Sequence, residues 1–308
     1  MPRIVITASS FCKNEILRAE ALAAFVGSDV VFHPLDPKSS PLEVAAVLNG
    51  FDGAIVGREP ICQEVVLQPK PPWVIAKYGV GMDNIDPAVL SRIKVIATPG
   101  SNAFSVAEHT IGLILSLAHN IAKCDRLLRE GLWWKDGGTV LSGKTVAVIG
   151  VGHVGSRVVR LLRAFDCRVI GVDVTDKSAL LAELTAQQMD LWPALGSADI
   201  VTLHVPLTEM TSEMVDEAFL ASMRPGSWLI NTSRGEIVVE AALLKALNSG
   251  RLAGAGLDVF EVEPTENKEM ICHDRVVCTP HTAGNSCEAV LAMGRASISK
   301  LVNYIKVL

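Results

Sequence analysis

The chain has 308 residues, of which 49% are hydrophobic and 20% charged, and its formal net charge is −5. This length and composition predict a globular protein of two domains with well-filled cores and exclude a disordered chain. The negative charge argues against a nucleic-acid partner, because binding a duplex needs a clustered basic surface.

Targeting segments, membrane spans and metal sites are not expected. The longest apolar helix pattern, residues 111–122, contains His119 and Asn120 and is too short to cross a bilayer. The N-terminal segment turns polar after a few residues, unlike a signal peptide. Seven cysteines form no C-x-x-C pair, and an odd number in a chain of this size does not predict a disulfide framework. These observations favour a reducing cytoplasm.

Short β-branched runs alternate with helical patterns along the chain, as a parallel α/β architecture requires. The first series of predicted strands has the sequences RIVIT, DVVFH, GAIVG, WVIAK and KVIAT. The second series has the sequences TVAVIG, RVIGVD, DIVTLHV, SWLINT, GAGLDV and VVCTP. Between them, residues 102–131 form one long amphipathic helix pattern, which is predicted to cross from one domain to the other.

The domain boundary is therefore predicted near Pro99. The first domain comprises residues 1–98 and 284–308, because the last helix pattern, at about residues 285–307, can return to it. The second domain comprises residues 99–283.

Three glycines follow the first strand of the second series, in the segment VAVIGVGHVGSRVVRLL. Gly150, Gly152 and Gly155 have the G-x-G-x-x-G spacing and lie between an apolar strand and a helix pattern. In this context they permit a tight turn, close approach of a pyrophosphate and close helix–strand packing. The next strand ends at Asp173, whose carboxylate can bind ribose hydroxyls and repel a 2′-phosphate. The segment predicts NAD rather than NADP; a glycine cluster that serves packing alone is the alternative.

Three charged side chains follow later strands of the second series. Arg234 lies in INTSRGEIV, Glu263 in GAGLDVFEVEP and His281 in TPHTAG. Open α/β sheets bind ligands at the carboxyl ends of their strands. Hydride transfer from an alcohol needs a base for the hydroxyl proton, a partner for the resulting imidazolium and a cation for the substrate anion. His, Glu and Arg suit these three roles.

Taken together, these segments resemble the D-isomer-specific 2-hydroxyacid dehydrogenase family, and within it the D-3-phosphoglycerate dehydrogenases. The resemblance rests on KYGVGMDNID, PGSNAFSVAEHTIGLIL, GKTVAVIGVGHVG, NTSRGEIV, GLDVFEVEP and TPHTAG, which occur in this order. It implies an α/β fold of two Rossmann-like domains. One is a flavodoxin-like substrate-binding domain, the other an NAD-binding Rossmann domain, and the substrate is expected in the cleft between them.

The resemblance also assigns site residues. Arg234, Glu263 and His281 are the implied catalytic residues. The implied cofactor contacts are Gly150, Gly152, His153, Val154, Gly155, Asp173, His204, Val205, Pro206, Thr232, Ser233, Arg234, Asp258, His281 and Gly284. The resemblance implies that the backbone amides of Gly79, Val80 and Gly81 hold the substrate carboxylate. The other predicted substrate contacts are Tyr78, Arg234 and His281, together with Arg58 and Lys77, which lie at or near strand ends of the first domain.

Several residues have more than one interpretation. Glu261 lies in the same acidic run as Glu263, and only the resemblance favours Glu263 as the partner of the histidine. His109 and His204 are more typical of structural or hinge positions than of bases. Arg58 and Lys77 are interpreted either as contacts to a second anionic group, such as a phosphate, or as ordinary surface cations.

The predicted function is an NAD-dependent D-2-hydroxyacid dehydrogenase acting on D-3-phosphoglycerate or a similar acidic 2-hydroxy acid, in serine biosynthesis. The alternatives are a glyoxylate or hydroxypyruvate reductase, another D-2-hydroxyacid dehydrogenase, and an NAD-responsive corepressor-like binding protein. Because the chain ends soon after TPHTAG, feedback control by serine through a C-terminal extension is not expected.

The resemblance implies a two-fold dimer contact at the helix pattern after Pro99, and the apolar character of that pattern favours a homodimer. A helix that is hydrophobic nearly all round must be buried in one core or against a second chain. The alternative is that Trp133, Trp134 and the loop after them fold back to cover it.

Overall fold

The computed structural model describes residues 1–305, and the chain folds into two compact units. Unit 1 comprises Met1–Asn102 and the segment from Asn285 onward, and unit 2 comprises Ala103–Gly284. The end of the predicted last helix, at residue 307, and the end of the predicted first domain, at residues 306–308, lie outside the described residues.

The elements are numbered in chain order. The strands are β1 (Arg3–Ala8), β2 (Asp29–Leu35), β3 (Gly53–Val56), β4 (Val74–Lys77), β5 (Lys94–Ile96), β6 (Thr145–Ile149), β7 (Arg168–Val172), β8 (Gln187–Gln188), β9 (Ile200–Leu203), β10 (Ser227–Asn231), β11 (Leu252–Leu257) and β12 (Val276–Cys278). The helices are α1 (Ser9–Lys13), α2 (Glu15–Ala24), α3 (Pro41–Leu48), α4 (Pro87–Leu90), α5 (Ala103–Ala118), α6 (Ile121–Arg129), α7 (His153–Ala164), α8 (Ser178–Glu183), α9 (Leu191–Ser197), α10 (Glu217–Ser222), α11 (Glu240–Asn248), α12 (Lys268–Ile271) and α13 (Cys287–Ile305). Short 3₁₀ helices lie at Gln63–Val65 and Gly235–Ile237.

Unit 1 contains a five-stranded parallel sheet in the order β2-β1-β3-β4-β5. This is the strand order of flavodoxin-like folds, as predicted. Helix α13 packs on this sheet with Met293, Ile298 and Leu301 in the same hydrophobic cluster as Ile4 and Leu17. Full burial of a side chain of this size contributes about 1.5–3 kcal/mol, which explains why the last helix belongs to the first unit.

Unit 2 contains a seven-stranded parallel sheet in the order β12-β11-β10-β9-β6-β7-β8. Starting from β6, this is the Rossmann order with one further strand at the end. The strand order reverses between β6 and β9, and the glycine segment follows β6 at this point. Two hydrophobic clusters fill the unit, and residues along β6 and β9 are buried on both faces, as in parallel sheets covered by helices. The predicted fold class is confirmed.

The single long helix predicted over residues 102–131 is wrong, because the structure divides it into α5 and α6. Asn120 between them has a left-handed backbone with φ of 55°. The Ala118 carbonyl, at the end of α5, accepts a hydrogen bond from the Thr139 amide at 2.7 Å. The Ala118 carbonyl thus accepts a tertiary hydrogen bond in place of the helical one from residue 122 that would continue α5.

Strand β8 was not predicted either. It has two residues, Gln187 and Gln188, and pairs with β7 at the edge of the sheet, so its sequence carries no apolar run.

Among residues 1–305, no helix combines the length and the apolar character that a membrane span requires.

Candidate active site

Three neighbouring strands of unit 2 end close to the residues that the sequence singles out. Arg234 follows β10, Glu263 follows β11 and His281 follows β12, and these strands are adjacent in the sheet. The carboxyl ends of parallel strands meet at one edge, so the fold brings the three loops to the edge where α/β proteins bind ligands.

His281 and Glu263 form a hydrogen-bonded pair. Nδ1 of His281 lies 2.7 Å from Oε2 of Glu263, and the two side chains are 32% and 30% exposed. Since an ionised carboxylate only accepts, Nδ1 carries a proton and donates a hydrogen bond to Glu263, and this contact fixes the tautomer and the orientation of the imidazole. The neighbouring Glu261 is used elsewhere: its carboxylate accepts a hydrogen bond from the Glu240 amide. The structure thus places Glu263, and not Glu261, beside the imidazole.

The backbone of His281 has a left-handed conformation, with φ of 53°. For a non-glycine residue this costs about 1–3 kcal/mol, a kind of strain that occurs often at functional sites. The His281 amide donates to the Asp258 carbonyl at 2.7 Å. The Asp258 carboxylate, 1% exposed, accepts from the Thr279 hydroxyl at 2.6 Å and from the amides of Thr282 and Ala283 at 2.8 and 2.9 Å. Asp258 therefore fixes the loop that carries His281.

Arg234 lies in a turn that Asn231 holds. Nδ2 of Asn231 donates to the Arg234 carbonyl at 2.8 Å, and Oδ1 of Asn231 accepts from the amide and the hydroxyl of Ser233. Nη1 of Arg234 donates to the Ser233 carbonyl at 2.7 Å. Asn231 is fully buried. The sequence interpretation overlooked it, although a buried amide at the end of an apolar strand indicates a role in shaping the turn.

The glycine segment has the shape that a dinucleotide requires. Gly150 has φ of 92°, and a methyl group there would meet the His204 carbonyl. A methyl group on Gly155 would overlap the Gly150 carbonyl, whereas Gly152 faces open space. Within the described chain, no side chain caps the start of α7 after Gly152. Its first amides therefore point to a region into which a pyrophosphate fits.

The comparisons with known proteins agree with this geometry. The family model described as "D-isomer specific 2-hydroxyacid dehydrogenase, NAD binding domain" matches residues 111–283. The chain is 37% identical over 257 residues to the glyoxylate reductase of Pyrococcus furiosus, covering 80% of this chain and 76% of that protein. It is also 37% identical over 248 residues to the D-3-phosphoglycerate dehydrogenase of Archaeoglobus fulgidus, covering 79% of this chain and 47% of that protein.

The chain belongs to the D-isomer-specific 2-hydroxyacid dehydrogenase family. A solved D-lactate dehydrogenase from Aquifex aeolicus, complexed with NAD and lactic acid, superposes with a TM-score of 0.86 at 26% identity. The match covers 99% of this chain and 96% of that one. The family membership expected from the sequence is confirmed, and the chain is an NAD-dependent oxidoreductase that acts on CH–OH groups.

In this dehydrogenase, Asp173 stands at the end of β7 beside the glycine segment. Its Oδ2 accepts from the Val151 amide at 2.8 Å, and its Oδ1 accepts from the amide and the hydroxyl of Thr175. Burial alone raises the pKa of Asp173, but the hydrogen bonds from Thr175 and Val151 outweigh it and, with Lys177, hold the pKa below its ordinary value. Asp173 is therefore an anion at neutral pH, as a partner for ribose hydroxyls should be.

Two further histidines, His204 and His109, hydrogen-bond to threonine hydroxyls of the same unit. Burial lowers the pKa of His204 to about 3, so its imidazole is neutral, and Nε2 lies 2.9 Å from the Thr202 hydroxyl. Nε2 of His109 lies 2.8 Å from the Thr279 hydroxyl and 3.5 Å from Oδ1 of Asp258. His109 thus contacts the network beneath the His281 loop, and only His204 is held neutral by burial.

The predicted substrate residues of unit 1 differ in exposure. Lys77 is 3% exposed and its Nζ donates to the Gly57 carbonyl. Tyr78 packs edge-on against Phe11, and burial raises the pKa of its hydroxyl. Arg58 is exposed. Lys77 and Tyr78 are therefore both buried, whereas Arg58 lies at the surface, and the substrate contacts predicted for all three stay predictions.

Proposed function

We propose that His281, Glu263 and Arg234 catalyse the reversible oxidation of a D-2-hydroxy acid to its 2-keto acid. The observation that carries the proposal is the His281–Glu263 pair at the carboxyl edge of the sheet, in the same unit as the glycine segment. A histidine whose Nδ1 is fixed by a carboxylate presents Nε2 as a proton acceptor and donor.

Each of the three residues has a distinct role in this proposal. In oxidation, Nε2 of His281 takes the proton of the substrate hydroxyl, and Glu263 stabilises the imidazolium that results. Arg234 supplies positive charge for the substrate carboxylate and the reacting oxygen, with the planar donor geometry that suits both. In reduction, the same imidazolium returns its proton to the oxygen. The bound cofactor would supply the redox chemistry: NAD⁺ accepts the hydride from C2 of the hydroxy acid in oxidation, and NADH donates it to the keto acid in reduction.

The substrate that we propose is D-3-phosphoglycerate or a similar 2-hydroxy acid with a second anionic group, which would place the enzyme in serine biosynthesis. The A. fulgidus relative carries that name, and exposed Arg58 is the unit 1 cation suited to the second anion. A second candidate is a glyoxylate or hydroxypyruvate reductase, the first of which is the name of the P. furiosus relative. The burial of Lys77 favours this second candidate, because a buried ammonium group that donates to the Gly57 carbonyl is less accessible to a phosphate.

Initial rates of NADH oxidation with a panel of 2-keto acids test both candidates. 3-Phosphohydroxypyruvate represents the substrates with a second anion, and hydroxypyruvate, glyoxylate and pyruvate represent those without it. If the first candidate holds, Arg58→Ala raises KM for phosphohydroxypyruvate and leaves KM for glyoxylate unchanged. Arg92→Ala, which removes another exposed arginine of unit 1, is the matched control. A preference for glyoxylate that Arg58→Ala does not alter supports the second candidate.

His281→Gln tests the chemistry independently of the substrate. The variant should lose about 10²–10⁴-fold in kcat, the usual contribution of a positioned acid or base, while NADH binding is retained. Turnover that survives this change would exclude His281 as the proton donor. Turnover with none of the keto acids would instead point to an NAD-responsive binding protein.

A homodimer and a reducing compartment complete the proposal. The apolar face of α5 is buried within unit 2, and the exposed apolar side chains lie further along, on α6 and after it: Ile121 (54% exposed), Leu128 (58%), Leu132 (55%) and Trp133 (80%). Trp133 does not cover them, but part of the alternative holds: the Trp134 ring lies 4.5 Å from Nζ of Lys123 on α6, and the Thr139 amide of the following loop donates to the Ala118 carbonyl. Such a patch is typical of an interface.

All seven cysteines are free thiols, which supports a cytoplasmic location.

A further inference from the structure

The loop that carries Glu263 has no helix or strand of its own until α12 begins at Lys268. Three of its residues, Glu261, Val262 and Glu263, are exposed, so packing does not hold them in one place. A loop of this kind needs specific hydrogen bonds if its carboxylate is to stay 2.7 Å from His281. Glu240, at the start of α11, makes such hydrogen bonds with residues 261 and 267 of this loop.

Glu240 and Glu261 exchange a reciprocal pair of hydrogen bonds. The Glu240 amide donates to the Glu261 carboxylate at 2.6 Å, and the Glu261 amide donates to the Glu240 carboxylate at 3.0 Å. The second oxygen of Glu240 accepts from Nδ2 of Asn267 at 2.6 Å. Glu240, itself 8% exposed, thus binds both ends of the loop segment that contains Glu263.

The start of α11 explains why two carboxylates meet here. Its N-cap residue is Val239, which has no side-chain oxygen to accept from the first turn. The carboxylate of Glu261 accepts from the first-turn amide of Glu240 instead, and Glu240 itself lies in the first helical turn. Both negative charges therefore lie at the positive end of a helix dipole and accept backbone N–H groups, which offsets their mutual repulsion.

The Glu240–Glu261 contact lies next to the turn that carries Arg234. A methyl group on Gly235 would overlap the carbonyl of Phe260 and approach the Glu261 amide, so the two backbones lie directly against each other. Arg234 precedes Gly235, and Glu263 follows Glu261 by two residues. Any shift at the Glu240–Glu261 contact is therefore passed on to both catalytic loops.

We propose that Glu240 is a positioning residue for the reaction: with Glu261 it fixes the loop of residues 260–267, so that Glu263 stays within hydrogen-bond distance of His281. The inference rests on the proposed function of Glu263 as the partner of His281. In the described part of the chain, Asp258 and His109 contact the histidine loop through Thr279, and Arg234 lies in the loop after β10. None of these three exchanges a hydrogen bond with Glu240 in the described part of the chain.

The test compares Glu240→Ala with Glu240→Gln in keto acid reduction as a function of pH. In the Ala variant the Glu261 amide and Asn267 lose their acceptor, and a displacement of about 1 Å at a reacting group can lower kcat by up to about 10²-fold. The pH at which reduction falls to half its maximum should also move lower, because His281 loses carboxylate support for its proton. Glu240→Gln keeps an amide oxygen for Glu261 and should restore much of the activity. Glu266→Ala, an exposed acid of the same loop, should match the wild type.

Glu263→Gln, assayed alongside, distinguishes failure of this inference from failure of the proposed function. If Glu263→Gln shifts the pH profile and Glu240→Ala does not, Glu240 has no positioning role. If neither shifts it, the pairing itself is wrong. In the Glu263→Gln background, Glu240→Ala should cause no further pH shift, and a full additional shift would overturn the proposal. Should Glu240→Ala fail to fold, Glu261→Ala removes the other half of the contact from an exposed position, with the same expected shift.

Discussion

Oε2 of Glu263 lies 2.7 Å from Nδ1 of His281, although 18 positions separate the two residues in the chain. They belong to loops that follow neighbouring strands, β11 and β12, of one parallel sheet. A carboxylate at this distance favours the protonated imidazole by direct charge interaction. The pair therefore predicts a pH dependence that can be measured.

Glu263→Gln should shift the pH profile of keto acid reduction to lower pH. Reduction needs His281 in its protonated form, and Glu263 stabilises that form. Without the negative charge the protonated form of His281 is less favoured, so the rate should begin to fall at a lower pH. Glutamine keeps an acceptor for Nδ1–H, so the loop should hold. A profile identical to that of the wild type means that Glu263 is not the partner of His281.

Some of this site follows from sequence and some does not. The roles of Gly150 and Gly155 are local, because the strand, turn and helix around them are continuous in the chain. The choice of Glu263 over Glu261 depends on which of these two acids lies beside His281. That is decided by a contact distant in sequence, because Glu261 accepts a hydrogen bond from the Glu240 amide, 21 positions earlier. The break between α5 and α6 likewise depends on a contact from Thr139. Contacts of this kind leave no periodic pattern in the sequence.

Gly152→Ala should weaken NADH binding without lowering stability. A methyl group at residue 152 meets nothing within the protein, and the residue's φ of −87° suits alanine. The methyl group would occupy the region at the start of α7 into which the pyrophosphate fits. NADH titration and the midpoint of thermal unfolding measure the two effects.

Gly155→Ala is the contrasting variant. Here the methyl group overlaps the Gly150 carbonyl, so both stability and NADH binding should fall; overpacking of this kind typically costs about 1–3 kcal/mol. If Gly152→Ala binds NADH as well as the wild type, the pyrophosphate does not lie at the start of α7.

Asp173→Ala should reduce the preference for NAD over NADP. The Asp173 carboxylate is ionised at neutral pH, and a 2′-phosphate brought beside it would be repelled. Removing the charge should lower the ratio of the two affinities by about tenfold or more, which corresponds to about 1.4 kcal/mol. Titration of NADH and NADPH measures the ratio, and Asp176→Ala, an exposed acid on the same loop, is the control. Comparable affinities for both cofactors in the wild type would contradict the assignment of Asp173.

Sedimentation at micromolar concentration should show a species of about twice 32.9 kDa. The apolar side chains exposed on α6 and after it, including Leu128 and Trp133, would lose contact with water in a two-fold dimer, which buries the same patch on both copies. Introducing a charge there leaves a buried ion without a partner, so Leu128→Glu should shift the equilibrium toward the monomer.

The control for this substitution is Met210→Glu, which adds the same charge at an 83% exposed apolar residue of the same unit outside α6. If the patch is the interface, Met210→Glu remains a dimer while Leu128→Glu dissociates, and the apparent mass of the latter rises again with concentration. A wild-type species near 32.9 kDa at all concentrations would exclude the dimer. A dimer that Leu128→Glu leaves intact would place the interface on another surface, because a glutamate buried at the centre of an apolar contact should weaken it by several kcal/mol.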